Sequence, residues 1–289
     1  MQQRPFKQVD VFTAKPYYGN PLGVVLDAQG LSSAGMQHFT NWTNLSECTF
    51  VLPPTQPGAD YSVRIFCPGR ELPFAGHPTL GTCHAWLEAG GQPKAAQIVQ
   101  ECGIGLVSIQ QDSASGRLAF AAPPLIKSGP LDDADVALIA RGLSVARDDI
   151  TAHAWCDNGP NWRGVMLRSA EQVLSLRPDG VMLHGLDVGV VGPRGKTGIV
   201  GAQTAGDETQ FEVRAFFPGN NGMVEDPVTG SLNAAIAQWL IGAGLAPTRY
   251  VAAQGTALGR AGRVHVEQTD GVIWIGGASV TCIDGSVTL

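Results

Sequence analysis

The chain has few of the features that announce a function. Only 15% of its 289 residues are charged, with a net charge of -6 at pH 7. Its Lys and Arg form no basic run interleaved with aromatics, which argues against a nucleic-acid surface. No apolar stretch nears the roughly 18–20 residues of a membrane span, so no membrane partner is expected. The N-terminus, Met-Gln-Gln-Arg-Pro-Phe-Lys-Gln-Val-Asp, has no signal-peptide core. The cysteines are scattered, at 48, 67, 83, 102, 156 and 282, and none form Cys-x-x-Cys. They read as reduced thiols in a cytoplasmic protein. His77, Cys83 and His84 lie close together but lack the facing ligands of a zinc site.

Nucleotide fingerprints are missing too. The run Gly189-Val-Val-Gly-Pro-Arg-Gly-Lys-Thr197 superficially resembles a phosphate loop. That pattern needs Gly six residues before the Lys, where Val190 stands, so a turn between strands is expected instead. Gly103-Ile-Gly105 lacks the third glycine of a dinucleotide site.

What the chain does contain is a repeat. Residues 64–82 read RIFCPGRELPFAGHPTLGT, and residues 214–231 read RAFFPGNNGMVEDPVTGS. Arg64, Phe66, Pro68 and Gly69 match Arg214, Phe216, Pro218 and Gly219 at an offset of 150. Pro78 and Gly81 match Pro227 and Gly230 at 149. The offset is about half the chain, as for one unit used twice. Each copy predicts a strand, a Pro-Gly break and a helix. His77 would cap the first helix with Pro78 at its first position; Asp226 and Pro227 would do the same in the second. A helix start is an anion site as well as a capped end. Two related ones facing across a cleft would suit a small carboxylate.

The remaining pattern is mostly short strands, with one long helix in each half, which is α+β. A first helix is expected at 32–41, capped by Ser32 or Ser33; others are expected at 132–142 and 169–176. Strand-like runs include 198–204. Ala122-Pro-Pro-Leu-Ile-Lys-Ser-Gly-Pro130 is the best linker. Glu47 falls where loop becomes strand, among small and apolar residues. A carboxylate in such surroundings tends to a raised pKa and can exchange protons near neutrality, whereas on the surface it would only cap a turn.

Five stretches in order make the chain resemble the PhzF-like family, named for an isomerase of phenazine biosynthesis. They are Asp10-Val-Phe with Gly19-Asn-Pro21, Asn44-x-Ser-Glu-x-Thr-Phe50, Glu71-x-Pro-Phe-Ala-Gly-His-Pro-Thr-Leu-Gly81, Glu225-Asp-Pro-Val-Thr-Gly-Ser231 and Gln254-Gly-x-x-x-Gly-Arg-x-Gly262. The resemblance implies a diaminopimelate epimerase-like fold of two pseudo-symmetric domains, each a barrel-like sheet around a central helix. Residues 1–125, completed by 277–289, would form one and 126–276 the other, with the active site between them. It implies a homodimer and no cofactor or metal. Carried over by position, Glu47 matches the general acid/base. His77, Asp226 and Ser231 match polar groups that assist proton movement or substrate binding, and Gly76 and Gly230 match backbone contacts near the helix ends. The epimerase branch of the fold uses two facing cysteines. Gly76-His77-Pro78 and Asp226-Pro227 occupy those regions here, and Cys83 has Leu232 as its counterpart, which disfavours two-thiol chemistry.

The expected activity is a cofactor-independent isomerase moving a proton on a small carboxylate-bearing substrate. Alternatives are an epimerase, racemase, lyase or hydrolase step by the same carboxylate, or a non-catalytic protein that binds a small acid. The substrate is not readable, because fold does not fix function.

Overall fold

The computed structural model describes residues 1–195, 208–219 and 222–289. The strand expected at 198–204 lies outside the described residues. The chain divides into two compact units, one of Met1–Ala121 with Gly276–Leu289 and the other of Ala122–Ile275.

In chain order, the elements of the first unit are β1 (Gln3–Val11), β2 (Asn20–Val25), α1 (Ser33–Thr43), β3 (Glu47–Leu52), β4 (Tyr61–Cys67), β5 (Arg70–Leu72), α2 (Gly76–Glu88), β6 (Ile98–Cys102), β7 (Gly105–Gln111) and β8 (Leu118–Ala121). The second unit holds α3 (Asp133–Gly142), β9 (Ile150–Cys156), β10 (Trp162–Leu167), α4 (Ala170–Ser175), β11 (Val188–Pro193), β12 (Phe211–Gly219), β13 (Gly222–Asp226), α5 (Gly230–Gly242), β14 (Arg249–Gln254), β15 (Gly262–Thr269) and most of β16 (Val272–Gly277). The last strand, β17 (Ser279–Thr288), returns to the first unit and pairs antiparallel with β1.

The two units repeat one ladder. Strand β1 is antiparallel to β2, β2 parallel to β3, and β3 antiparallel to β4, which in turn pairs antiparallel with β5 and parallel with β6. In the second unit β9, β10, β11, β12, β13 and β14 follow with the same sequence of directions. Both long helices are buried nearly all round. In α2, nine of thirteen residues are buried, Gly76 to Cys83 without a break. A helix enclosed in this way has no charged face to show, and Glu88 is the one Asp, Glu, Lys or Arg in α2 and α5 together. Each unit has its own core, in which aromatic and aliphatic side chains mix. Phe50 meets Phe39 and Phe66 edge-on at 6.2 and 5.6 Å in the first, while Val136, Ile139, Leu167, Val190 and Phe216 pack in the second.

The structure corrects the register of the repeat. Phe66 faces Glu71 across β4 and β5, and Phe216 faces Glu225 across β12 and β13. Each Glu binds the Arg of its own copy, Arg64 or Arg214. Gly76 and Gly230 are both first helical residues. After the insert the copies therefore align Glu71-Leu-Pro-Phe-Ala-Gly-His77 on Glu225-Asp-Pro-Val-Thr-Gly-Ser231, at an offset of 154 in place of 149. His77 and Ser231 become equivalent. Neither expected cap stands. The N-cap of α2 is Ala75, with His77 already inside the first turn, and that of α5 is Thr229, three residues past Asp226. Asp226 ends β13, where its carboxylate takes the Thr229 hydroxyl at 2.6 Å. Pro78 is the third residue of α2, and Pro227 precedes its helix altogether.

Two glycines let sheet and helix approach. A Cβ on Gly81 would lie 2.7 Å from Leu22 Cδ2 and 2.8 Å from Val11 Cγ2, both residues fully buried. Gly81→Ala is expected to cost about 1–3 kcal/mol, read as a lowered urea midpoint. In the second unit Gly189 lies inside β11, where a Cβ would meet Leu232 of α5 at 2.3 Å. Two of the glycines that suggested a phosphate loop, Gly189 and Gly192, are thus packing positions on a strand; Lys196 and Thr197 lie outside the described residues.

Candidate active site

Three element starts bring polar side chains together in the first unit. Asn44, left-handed at φ 57°, ends α1 and lets the chain turn into β3 within three residues. That places Ser46 and Glu47 at the mouth of β3. Asn20 opens β2, whose Leu22 pairs with Glu47. His77 is the second residue of α2. Ser46 Oγ donates to Asn20 Oδ1 at 3.2 Å, and Asn20 Nδ2 lies 3.3 Å from His77 Nδ1. The other ring nitrogen, Nε2, is 3.4 Å from Glu47 Oε2, close enough for attraction but not aligned as a hydrogen bond.

His77 is only 4% exposed, and burial pushes its pKa down to about 3. The nearby carboxylate favours an imidazolium, but enclosure of the whole ring opposes it and dominates. The ring is therefore neutral. The unfolded chain takes up this proton near pH 6.5, the folded one only near pH 3. Between those values the unfolded state binds more protons, so stability falls as pH drops, by at most about 1.4 kcal/mol per pH unit from this group. His77→Gln is expected to flatten that part of the slope in urea unfolding series run between about pH 6 and pH 4.

The helix ends differ in a telling way. Ser32 caps α1 through Gly35 N–H at 3.1 Å, Asp132 caps α3 through Asp135 N–H at 2.7 Å, and Ser169 caps α4 through Gln172 N–H at 3.3 Å. Neither α2 nor α5 has a side-chain cap. These are the starts marked by Gly76 and Gly230, whose missing side chains leave the backbone amides approachable. An uncapped helix start holds partial positive charge available to an anion.

In the second unit Gln254, wholly buried, fixes the approach to α5. Its Oε1 accepts from the Thr229 amide at 3.1 Å and from Asn233 Nδ2 at 2.7 Å. Its Nε2 donates to Thr229 Oγ1 at 2.9 Å and to the Asp226 carbonyl at 3.2 Å. Ser231 Oγ accepts from the Trp162 indole at 3.2 Å, and its carbonyl accepts from Asn158 at 2.9 Å. The indole can only donate, so the Ser231 hydroxyl keeps its own proton to give.

Glu47, His77 and Gly76 thus gather in the first unit, and Asp226, Gly230 and Ser231 in the second. Sequence reasoning gave no role to Asn20, Ser46, Thr229, Gln254, Asn158 or Trp162. Asn20 and Gln254 stood inside quoted motifs, but nothing local marked them as buried hydrogen-bonding hubs. The thiols are poorly suited to proton transfer. Burial pushes Cys83 up to about 12 and Cys48 up to about 11. Among the described residues no His, Cys, Asp and Glu cluster is placed to hold a metal, and no helix is long and apolar enough to cross a membrane.

A profile of the family described as phenazine biosynthesis-like protein matches residues 9–285. Antisense-enhancing sequence 1 of Schizosaccharomyces pombe is 34% identical, with 99% of each chain covered. The trans-2,3-dihydro-3-hydroxyanthranilate isomerase of Pseudomonas fluorescens is 32% identical over 79% of this chain and 77% of its own. A Bacillus anthracis phenazine biosynthesis protein of the PhzF family superposes with a TM-score of 0.81 at 22% identity, each chain fully covered. The fold is diaminopimelate epimerase-like. By profile, relatives and fold together, the chain belongs to the phenazine biosynthesis-like family and carries an isomerase scaffold.

Proposed function

We propose that the protein is a cofactor-independent isomerase in which Glu47 moves a proton between two positions of a small carboxylate-bearing substrate. The observation that carries this reading is the Glu47 carboxylate beside a buried, neutral His77 at a helix start with no side-chain cap. As a carboxylate, Glu47 takes a proton from an activated carbon, and the C–H electron pair moves into the carbon framework. As the resulting acid, it returns the proton to a different carbon, so the double bond shifts and no net charge is gained. The charge that develops in between needs fixed donors. His77 and the first amides of α2 supply them. The same reading assigns Asp226 to assisting proton movement with Glu47 and His77, and Gly76, Gly230 and Ser231 to substrate binding, with the Ser231 hydroxyl as donor. Homodimer formation belongs to it as well.

The relatives named as trans-2,3-dihydro-3-hydroxyanthranilate isomerases support a dihydroaromatic amino acid as the substrate class of this reading. A dihydroaromatic amino acid has both the carboxylate and the activated C–H that this chemistry uses. The test is incubation in D₂O with that compound and a panel of small amino and hydroxy acids, read by NMR and mass spectrometry. Deuterium at a new sp³ carbon, with a displaced double bond, is the expected result. Label at an inverted stereocentre would replace the isomerase by an epimerase. Binding without exchange across the panel would replace it by a small-acid-binding protein.

A further inference from the structure

We propose that Asn20 is a positioning residue that holds His77 as the tautomer protonated on Nε2, making His77 a donor and not a second base. The inference rests on the isomerase reading for its functional meaning, but its structural content stands alone. Start from the carboxylate, which can only accept when ionised. His77 Nε2 is 3.4 Å from Glu47 Oε2 without hydrogen-bond alignment. A bare nitrogen lone pair so close to an anionic oxygen is repelled by it, whereas an N–H there is attracted, so the ring nitrogen on that side carries the hydrogen. A neutral ring has one N–H, which leaves Nδ1 bare. The group 3.3 Å from Nδ1 must then donate, and Asn20 Nδ2 does. That orientation turns Asn20 Oδ1 to the Ser46 hydroxyl at 3.2 Å, which donates to it. Each step fixes the next, and the sequence Ser46 to Asn20 to His77 has one consistent direction.

Asn20 is well placed to impose this direction. It is wholly buried and its backbone pairs with Val11 of β1. The turn before it is pinned by Gly19 N–H on Asp10 Oδ2 at 2.9 Å. The amide keeps a donor on Nδ1 whether Glu47 is carboxylate or acid. His77 is thereby held to a single role through the cycle, and the protons taken and returned belong to Glu47 alone.

The experiment uses the full chain with ¹⁵N-labelled histidine and no ligand. Long-range ¹H–¹⁵N correlation reports which nitrogen of each ring is protonated, and His77→Gln identifies the His77 signals by their loss. Wild type is expected to show a neutral ring protonated on Nε2. Asn20→Asp puts an acceptor in place of the donor and is expected to move the proton onto Nδ1. Asn20→Ala, the reserve variant should the Asp form not fold, is expected to give a mixture of tautomers. A purely structural Asn20 would leave the tautomer unchanged. Protonation on Nδ1 in wild type, or unaltered Nε2–H in a folded Asn20 variant, overturns the proposal. With an exchanging acid from the D₂O panel, folded Asn20→Asp is expected to lose roughly tenfold or more in exchange rate, the scale of one hydrogen bond to a charged group. The spectrum needs no substrate, so failure of this assignment is distinguishable from failure of the isomerase reading.

Discussion

Glu47→Gln is expected to abolish deuterium exchange into the substrate while leaving the protein folded. Positioned acid/base groups contribute about 10²–10⁴-fold, and an amide cannot take up the proton at all. Among the described residues, its neighbours His77 and Cys48 cannot replace it. His77, with its pKa near 3, is too weak a base at neutral pH, and Cys48, at about 11, stays a thiol. The variant keeps the shape of the side chain and an amide oxygen that can face His77 Nε2 as the carboxylate does. The urea midpoint is therefore expected to move by less than about 1 kcal/mol in free-energy terms. Glu47→Asp draws the carboxylate back by one methylene and should retain chemistry at a reduced rate, since small misplacements cost heavily at reacting atoms. Exchange surviving in folded Glu47→Gln would move the proton transfer to another group. Loss of exchange together with a collapsed midpoint would leave only a folding defect, which is why both are measured on one preparation.

Much of the fold was legible because its signals are local. Ser32, Asp132 and Ser169 each precede a helix, and each one caps it. Glu47 was read at a loop-to-strand junction and is the first residue of β3. The repeat was also legible, but its register was not. Pro and Gly recur often enough to match at 149, while the true correspondence at 154 is held by Arg64 on Glu71 and Arg214 on Glu225, pairs formed only once the chain folds back. The strands that carry those glutamates, β5 and β13, have no strand signal of their own in the sequence. Arg-Glu-Leu is too short and polar to show alternation, and β13 follows Asn220-Asn221, which reads as turn. Helix starts were misplaced for a physical reason. Asp before Pro is a good cap signal and His77 stands before Pro78 in the same way, yet α2 and α5 begin without any side-chain cap. Sites built from uncapped ends and buried amides such as Asn20 and Gln254 break the local rules that make other elements readable.

The repeated Arg–Glu pair offers an internal comparison, and Arg214→Met is expected to be far more damaging than Arg64→Met. Arg214 is 6% exposed and Glu225 12%. The guanidinium grips Glu225 through Nε at 2.9 Å and Nη2 at 2.7 Å, donates to the Val173 and Leu176 carbonyls at 3.1 and 3.0 Å, and stacks over Phe216. Methionine would fill part of the space but leave a buried carboxylate without its cation and two carbonyls at the end of α4 without this donor. Removing one partner of a buried pair costs about 3–5 kcal/mol. Arg64 makes the same bidentate grip on Glu71, at 2.7 and 2.6 Å, and lies over Phe66, but the two side chains are 28% and 42% exposed. Water can take over there, so the expected cost is about 1 kcal/mol or less. Urea unfolding of both variants measures the difference. Adding Glu225→Gln to Arg214→Met should recover part of the loss, because the stranded charge is gone. Equal costs at the two sites would mean that burial does not set the strength of the pair. It would also remove the reason for treating the second copy as the more tightly clamped hairpin, the one that delivers Asp226 to the approach of α5.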